Sequence, residues 1–334
     1  MKISASIYSD KQRPLQKVIQ DLVGHQIDLL HVDCNNDTGV FEDIRNIRKW
    51  CNTPIDLHII TDDPEKFYPF LKECPVEYIT FQYENLSVPL LIPHDIPGKK
   101  GLAITTPTSV EVFDEYSDMD FILIMATIPG QSGGVFDEKN FSKIRQFRRS
   151  YPRKSIHVDG GVNAEVSFIL RNMGVSSSVS GSYLFGEASI GNALMNLTQR
   201  DIESQYCVKD FMTPLAEAPY IEINGASTKA ILESVENGKM GFSLVLGEND
   251  ILIGLVSSAD IRKALLAKID AHETITPEDL INKTPISIIG TATVNELLKK
   301  IKSCPFPIMY LPVTNQEGNA IGIVNFVHLI KGEI

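Results

Sequence analysis

Three short stretches, LLHVDCNN (29–36), IDLHII (55–60) and SIHVDGG (155–161), decide how this chain reads. Each is an apolar run of β-forming residues with an imidazole or carboxylate toward its C-terminal end: His31 and Asp33, then His58, then Asp159. Side chains alternate faces along a strand, so His31 and Asp33 point the same way. Two imidazoles and two carboxylates make a mixed nitrogen and oxygen set suited to a divalent cation, zinc first, with iron, manganese and cobalt as alternatives. If the segments are neighbouring strands of one barrel, the four side chains converge at the strands' C-terminal ends, where barrel enzymes keep their chemistry. Such a set points to an enzyme that removes a proton beside a carbonyl. Any one of the four alone would mean little; the position of each at the end of an apolar run sets them apart.

The same alternation extends over the first half. Further β-type runs are KISASIY (2–8), EYITFQY (77–83), GLAIT (101–105), FILIMAT (121–127) and SSVSGSYLF (177–185). Between the runs lie amphipathic patterns such as PLQKVIQDLVGHQ (14–26) and FSKIRQFRRSYPRK (141–154). Eight strands alternating with helices predict an α/β fold, a closed (β/α)8 TIM barrel over residues 1–196, with a doubly wound open sheet as the lesser option. Three prolines in ENLSVPLLIPHDIPGKKG (84–101) predict a short or broken fourth helix. The polar stretch LTQRDIESQY (197–206) reads as a bridge to a smaller α+β part made of two copies of one unit, 207–268 and 279–334. The first copy runs VKDFMTP, STKAILESVENGK, FSLVLG, END, ILIGLVSSADIRKALL; the second runs NKTPISI, TVNELLKKIKS, PIMYLPV, TNQEGN, AIGIVNFVHLIK. Both follow strand, helix, strand, hairpin turn, strand, helix.

Composition bounds the possibilities. A chain of 334 residues with 43% hydrophobic and 22% charged residues is ordinary for a soluble protein of two or three domains. A net charge of -11 argues against nucleic acid or an anionic membrane as partner. A phosphorylated substrate stays open, because backbone amides bind phosphate without Lys or Arg. Five cysteines (34, 51, 74, 207 and 304) without a CxxC pair read as reduced thiols. With no apolar leader in MKISASIYSD and no membrane-length run, a cytoplasmic location is expected.

At this point the chain resembles two known families. Residues 1–186 are similar to ribulose-phosphate 3-epimerases: SASIYSD, HVDCNND, DLHII, ITFQYEN, GLAITTPT, ILIMATIPG, HVDGGVN and SGSYLFG fall in that family's order and spacing. Residues 207–334 resemble a tandem pair of CBS domains, through VKDFMTP and GLVSSADI. The first resemblance implies metal ligation by His31, Asp33, His58 and Asp159. It also implies inversion of C3 in a ketose phosphate, by default D-ribulose 5-phosphate to D-xylulose 5-phosphate. The residues suit that task. A proton beside a ketone is too weakly acidic for an unaided carboxylate, and a cation gripping the C2 and C3 oxygens stabilises the enediolate. Inversion needs an acid and a base on opposite faces, which Asp33 and Asp159, on separated strands, can supply as a pair whose roles swap with direction. His31 and His58 would be ligands, neutral at the metal-bound nitrogen, and the resemblance also sets His58 beside the substrate.

Other residues join this site. Ser6 is placed either to bond the substrate's hydroxyl end or to fill space at a strand end. Asp56 shares the face of His58, as an outer support, and Met125 matches an apolar methionine that walls the family's metal site. Small-residue turns after the last three strands suit phosphate, and the resemblance maps its binding onto Gly130, Gln131, Ser132, Gly133, Gly160, Gly161, Gly181 and Ser182. The chain departs from the family pattern at Asn35 and Ile60, which stand where methionines are usual, and at a GQSGG turn (130–134) in place of GFGGQ. It also has Gln82 where a histidine is common and His157 where a glutamate is common; a packed or solvated role is expected for His157. These departures leave a different ketose phosphate as the near rival substrate.

The CBS resemblance implies an adenosine ligand such as AMP or ATP, with Ser257 and Asp260 holding the ribose. Asn325 and His328 stand at the equivalent places of the second copy, so one such site is expected, not two. A pair that only dimerises is the competing role, and a homo-oligomer follows either way. The alternative to an enzyme is a retired barrel serving as an adenosine-nucleotide-sensing scaffold; four intact donors speak against it.

Overall fold

The computed structural model describes residues 1–127, 133–198, 206–224, 226–269, 273–304 and 306–326. Eight parallel strands close a barrel in chain order: β1 (Lys2–Ser6), β2 (Leu29–Asn35), β3 (Ile55–Ile60), β4 (Tyr78–Gln82), β5 (Lys99–Thr105), β6 (Phe121–Met125), β7 (Ser155–Asp159) and β8 (Ser177–Ser180). β8 returns to β1 with Ala5 opposite Ser180, so the sheet has no free edge. The helices around it are α1 (Leu15–Gly24), α2 (Val40–Trp50), α3 (Tyr68–Glu73), α4 (Lys139–Ser150), α5 (Ala164–Asn172), α6 (Ser182–Gly186) and α7 (Ile190–Thr198). α2 shows why such segments fold as helices. Val40, Phe41, Ile44 and Ile47 form one buried stripe, acidic Glu42 and Asp43 sit in its first turn, and basic Arg48 and Lys49 in its last. α5 starts where the Asn163 side chain accepts a hydrogen bond from the Val166 amide at 2.9 Å.

The expected broken fourth helix is a single 3-10 turn, Tyr83–Asn85, followed by the proline-bearing segment. The run 177–185 departs from expectation. Its strand stops at Ser180, and SYLFG folds as α6. The chain turns at Gly181, where a Cβ would lie 2.2 Å from Ser9 Oγ, and a short apolar run carries no periodicity that separates strand from helix.

Inside the barrel, Gly101 leaves room for the Phe121 ring, one of whose carbons would stand 2.3 Å from a Cβ there. Phe121 in turn stacks on His157, with centroids 4.2 Å apart and planes at 22°. His157 is therefore a packed core residue. Its Nδ1 has no hydrogen-bond partner, and burial pushes its pKa down to about 4.

Contacts among the described residues separate a second unit within Glu203–Val327 from the barrel unit within Met1–Ile202. VKDFMTP opens it with a one-turn helix, α8 (Val208–Phe211), and the two-residue β9 (Thr213–Pro214), shorter than the repeat pattern suggested. There follow β10 (Tyr220–Glu222), α9 (Thr228–Gly238), β11 (Phe242–Leu246), β12 (Leu252–Ser257) and α10 (Ser258–Lys268). The second copy comprises α11 (Pro277–Leu280), β13 (Ile288–Ile289), α12 (Val294–Ser303), β14 (Tyr310–Thr314) and β15 (Ala320–Asn325). The two small sheets, β10-β11-β12 and β13-β14-β15-β9, exchange their lead-in segments. β9 pairs with β15, while Asn282 bridges Leu255 of β12 through bonds of 2.9 and 3.0 Å. Most of the bridging stretch, 199–205, lies outside the described residues. None of the five cysteines forms a disulfide, and no described helix is long and apolar enough to cross a membrane.

His157 sets an acid limit on stability. Its imidazole resists protonation in the fold until about pH 4, whereas the unfolded chain protonates it near its ordinary value of 6.5. Stability is thus complete above pH 6.5 and falls as pH drops toward 4. His157→Phe keeps a ring against Phe121 and removes this titration. Urea unfolding at pH 7 and 4.5 should show the variant retaining about 2–3 kcal/mol more of its neutral-pH stability than the parent; parallel losses would contradict this.

Candidate metal centre

Barrel closure brings the four donors together. The register pairs Asp33 with His58 across β2 and β3, while Asp159 arrives from β7 on the far side of β1 and β8. One ligand atom from each of His31, Asp33, His58 and Asp159 lies within 4.8 Å of all the others. Both histidines are fully buried, and the two carboxylates are partly open, at 22% and 17% exposure, so the cluster has a dry floor and an accessible top.

Each imidazole is held by its outer nitrogen. His31 Nδ1 lies 3.0 Å from Asp56 Oδ2, which also accepts from Ser4 Oγ at 3.0 Å. His31 Nε2 faces Asp33 Oδ1 at 3.3 Å and Asp159 Oδ2 at 3.8 Å. His58 Nε2 meets Gln82 Oε1 at 2.9 Å, which leaves Nδ1 buried without a hydrogen-bond partner, 3.7 Å from Asp33 Oδ1. A buried ring nitrogen without a hydrogen-bond partner, beside the Asp33 carboxylate, is what a divalent cation would satisfy, so the donor set fits a metal. Asp56 is the outer support expected from its face, and the ring it reaches is His31 on the neighbouring strand: strand alternation gives the face but not which neighbour is reached.

The electrostatics agree. Burial opposes charge on His31, but Asp33 and Asp56 outweigh it and push its pKa well above the ordinary value. That field favours positive charge where the metal would sit. Burial also works against the charge of Asp33, yet His31 and His58 hold its carboxyl far below the usual range. Burial, with the nearby charges of Asp33 and Asp56, pushes Asp159 up to about 6 against the pull of the histidines. A bound cation would draw Asp159 down.

Above the cluster opens a cleft of about 240 Å³, lined by Asp33 and Asp159 together with Ser6, Met125, Gly133, Gly160, Gly161, Gly181 and Ser182. Of the described residues expected around the substrate, all but the fully buried His58 lie on one cavity, as does Asn35. Gly130, Gln131 and Ser132 lie outside the described residues. Gly160 has φ +110°, and a Cβ there would sit 2.3 Å from Thr127 Oγ1, so the turn after β7 requires glycine. Ser9 donates to Ser6 Oγ at 3.0 Å, and Tyr8, also on the cleft, donates to Asp43 Oδ2 at 2.7 Å. Sequence reading missed Tyr8, Lys11 and Thr127 on this lining, and the support that Gln82 gives His58. For Gln82 a signal existed: it ends β4 on the inward-facing alternation with Thr80.

Comparison with known proteins agrees with the geometry. The model described as "Ribulose-phosphate 3 epimerase family" matches residues 2–185, more than half of the chain. The chain belongs to this family. Ribulose-phosphate 3-epimerase of Aquifex aeolicus is 28% identical over 188 residues, covering 52% of this chain and 84% of that protein. That of Methanocaldococcus jannaschii is 28% identical over 229 residues, covering 64% and 95%. That of Bacillus subtilis is 24% identical over 213 residues, covering 59% and 98%. Among solved structures, CBSX2 in complex with AMP is 24% identical at a TM-score of 0.32, covering 38% of this chain and 96% of that one. A CBS-domain protein from Agrobacterium tumefaciens is 17% identical at a TM-score of 0.32, covering 40% and 100%.

Asp56→Asn should keep the bond from Ser4 but remove the charge behind His31. Competition against a chromophoric chelator is expected to show zinc binding ~10–100-fold weaker, with the thermal transition still cooperative. Unchanged affinity would mean that Asp56 supports the fold alone.

Proposed function

We propose that the barrel is a metal-dependent 3-epimerase of a ketose phosphate, interconverting D-ribulose 5-phosphate and D-xylulose 5-phosphate. The observation that carries this reading is the placement of two carboxylates from separated strands in one four-donor cluster under a polar cleft. His31 and His58 would hold the metal with Asp33 and Asp159, zinc being the first choice. When bound, the cation supplies Lewis-acid polarisation of the C2 carbonyl and C3 hydroxyl oxygens. Asp33 and Asp159 remove and return the C3 proton from opposite faces, exchanging roles with direction. Ser6 orients the hydroxyl end of the sugar, and Met125 keeps water from the reacting carbon. Backbone amides of Gly133, Gly160, Gly161, Gly181 and Ser182, with Gly130, Gln131 and Ser132, hold the phosphate.

In deuterium oxide, the protein should incorporate deuterium at C3 of ribulose 5-phosphate, followed by proton NMR. Asp33→Asn and Asp159→Asn should each slow exchange ~10²–10⁴-fold. Exchange unaffected by either change would overturn the two-carboxylate assignment. A second substrate reading rests on Asn35, a polar residue lining the cleft beside Asp33. Exchange with another ketose 5- or 6-phosphate but not with ribulose 5-phosphate would decide for it.

For residues 207–268 and 279–334 we propose a CBS pair that binds an adenosine nucleotide, AMP or ATP, or serves to dimerise the chain. The repeated units and their exchanged segments support this. Ser257 and Asp260, the ribose candidates, sit at the start of α10, where Asp260 Oδ2 accepts from the Ser257 amide at 3.0 Å and its hydroxyl at 2.5 Å. If the pair senses nucleotide, epimerase rates with and without AMP, ATP or S-adenosylmethionine should differ. Equal rates, with a dimer by light scattering in every case, would favour the purely assembling role.

A further inference from the structure

We propose that Glu84, which is not itself a metal-site donor, dictates which nitrogen of His58 faces the metal centre, acting through Gln82 as a positioning residue. The inference deepens the metal-site reading and rests on it. A ligating imidazole must present a bare nitrogen, so the proton has to be kept on the other one. Gln82 alone cannot enforce this, because an amide offers an acceptor and a donor of nearly equal size and can turn either to the ring.

Glu84 removes that freedom. One of its oxygens, Oε1, accepts from the Thr105 amide at 2.7 Å, from Thr105 Oγ1 at 2.8 Å and from Thr108 Oγ1. Its other oxygen, Oε2, faces Gln82 Nε2 at 2.5 Å. A carboxylate accepts only, so the Gln82 amino group must point to Glu84, a direction shared by its longer bond to the Ala103 carbonyl at 3.4 Å. Gln82 Oε1 is then the atom left for His58, and His58 must donate from Nε2, 2.9 Å away. The bare Nδ1 turns inward, to the buried position without a hydrogen-bond partner. Gln82 is 1% exposed, so no bulk water competes with the relay. The short Tyr83–Asn85 turn that stands in for a fourth helix is what carries Glu84 back over the end of β5.

Glu84→Gln tests the relay with almost no change of shape. The Thr105 amide fixes the new carbonyl oxygen on its own side, so the new amino group faces Gln82. Gln82 then turns its oxygen away from the ring and offers it an amino group, and the proton of His58 moves to Nδ1. Full-length protein carrying ¹⁵N-histidine, stripped of metal and held at pH 8, should show His58 as the Nε2–H tautomer in two-bond ¹H–¹⁵N spectra. Glu84→Gln should show the Nδ1–H tautomer and bind zinc ~10–100-fold more weakly. The double variant Gln82→Glu/Glu84→Gln returns a carboxylate to His58 and a donor to that carboxylate, so it should restore both readouts.

The proposal is overturned by an Nδ1–H tautomer in the metal-free parent. It is equally overturned by a folded Glu84→Gln protein whose tautomer is unchanged, even if zinc binding falls, since Glu84 would then serve the fold alone. Should the single variant not fold, Glu84→Met takes its place: loss of the pure Nε2–H form there, with Nε2–H in the parent, supports the relay, and Nε2–H unchanged ends it. Absence of C3 exchange in the parent would sink the epimerase reading and leave these results standing.

Discussion

The barrel unit's site turns on holding two imidazole rings with one nitrogen each aimed inward, in a place where neither ring can reach water. Each ring is gripped from behind, His31 by Asp56 and His58 by Gln82, so one nitrogen of each is tied to the outside of the cluster and the other faces in. The grip works because it is buried: in a medium of low polarity an unmet hydrogen bond costs more than in water, and the rings have no better orientation. The cluster is then a concentration of negative and lone-pair character that the surrounding apolar strands cannot relieve. Only positive charge relieves it, which is why the field around His31 favours a cation.

Barrel closure does the assembling. His31 and Asp33 share a strand, His58 comes from the next, and Asp159 arrives from the opposite direction round the ring. The two carboxylates therefore approach a common centre from different sides. Glycine at 160 and 181 lets the connecting turns close over the cleft without side chains intruding.

Much of this was legible in the chain. Strand alternation placed His31 with Asp33, and the apolar runs located all eight strands, because parallel strands buried on both faces leave continuous hydrophobic stretches. The prolines at 89, 93 and 97 marked the missing helix. What the letters did not show was pairwise reach. Asp56 serves the histidine on the neighbouring strand, and the link from Gln82 through Glu84 to Thr105 and Thr108 depends on which turn folds back over which strand end. The run around Gly181 misled because four residues of strand and five of helix are each too short to show a period that tells them apart.

In the second unit, each repeat lends a piece of backbone to the other's sheet, β9 to β15 and Asn282 to β12. Cutting between the copies would strip both of a neighbour and leave two raw edges open to association with other chains. The doublet is therefore the smallest piece of this unit with its sheets complete, and one copy on its own would be a fragment with an open edge.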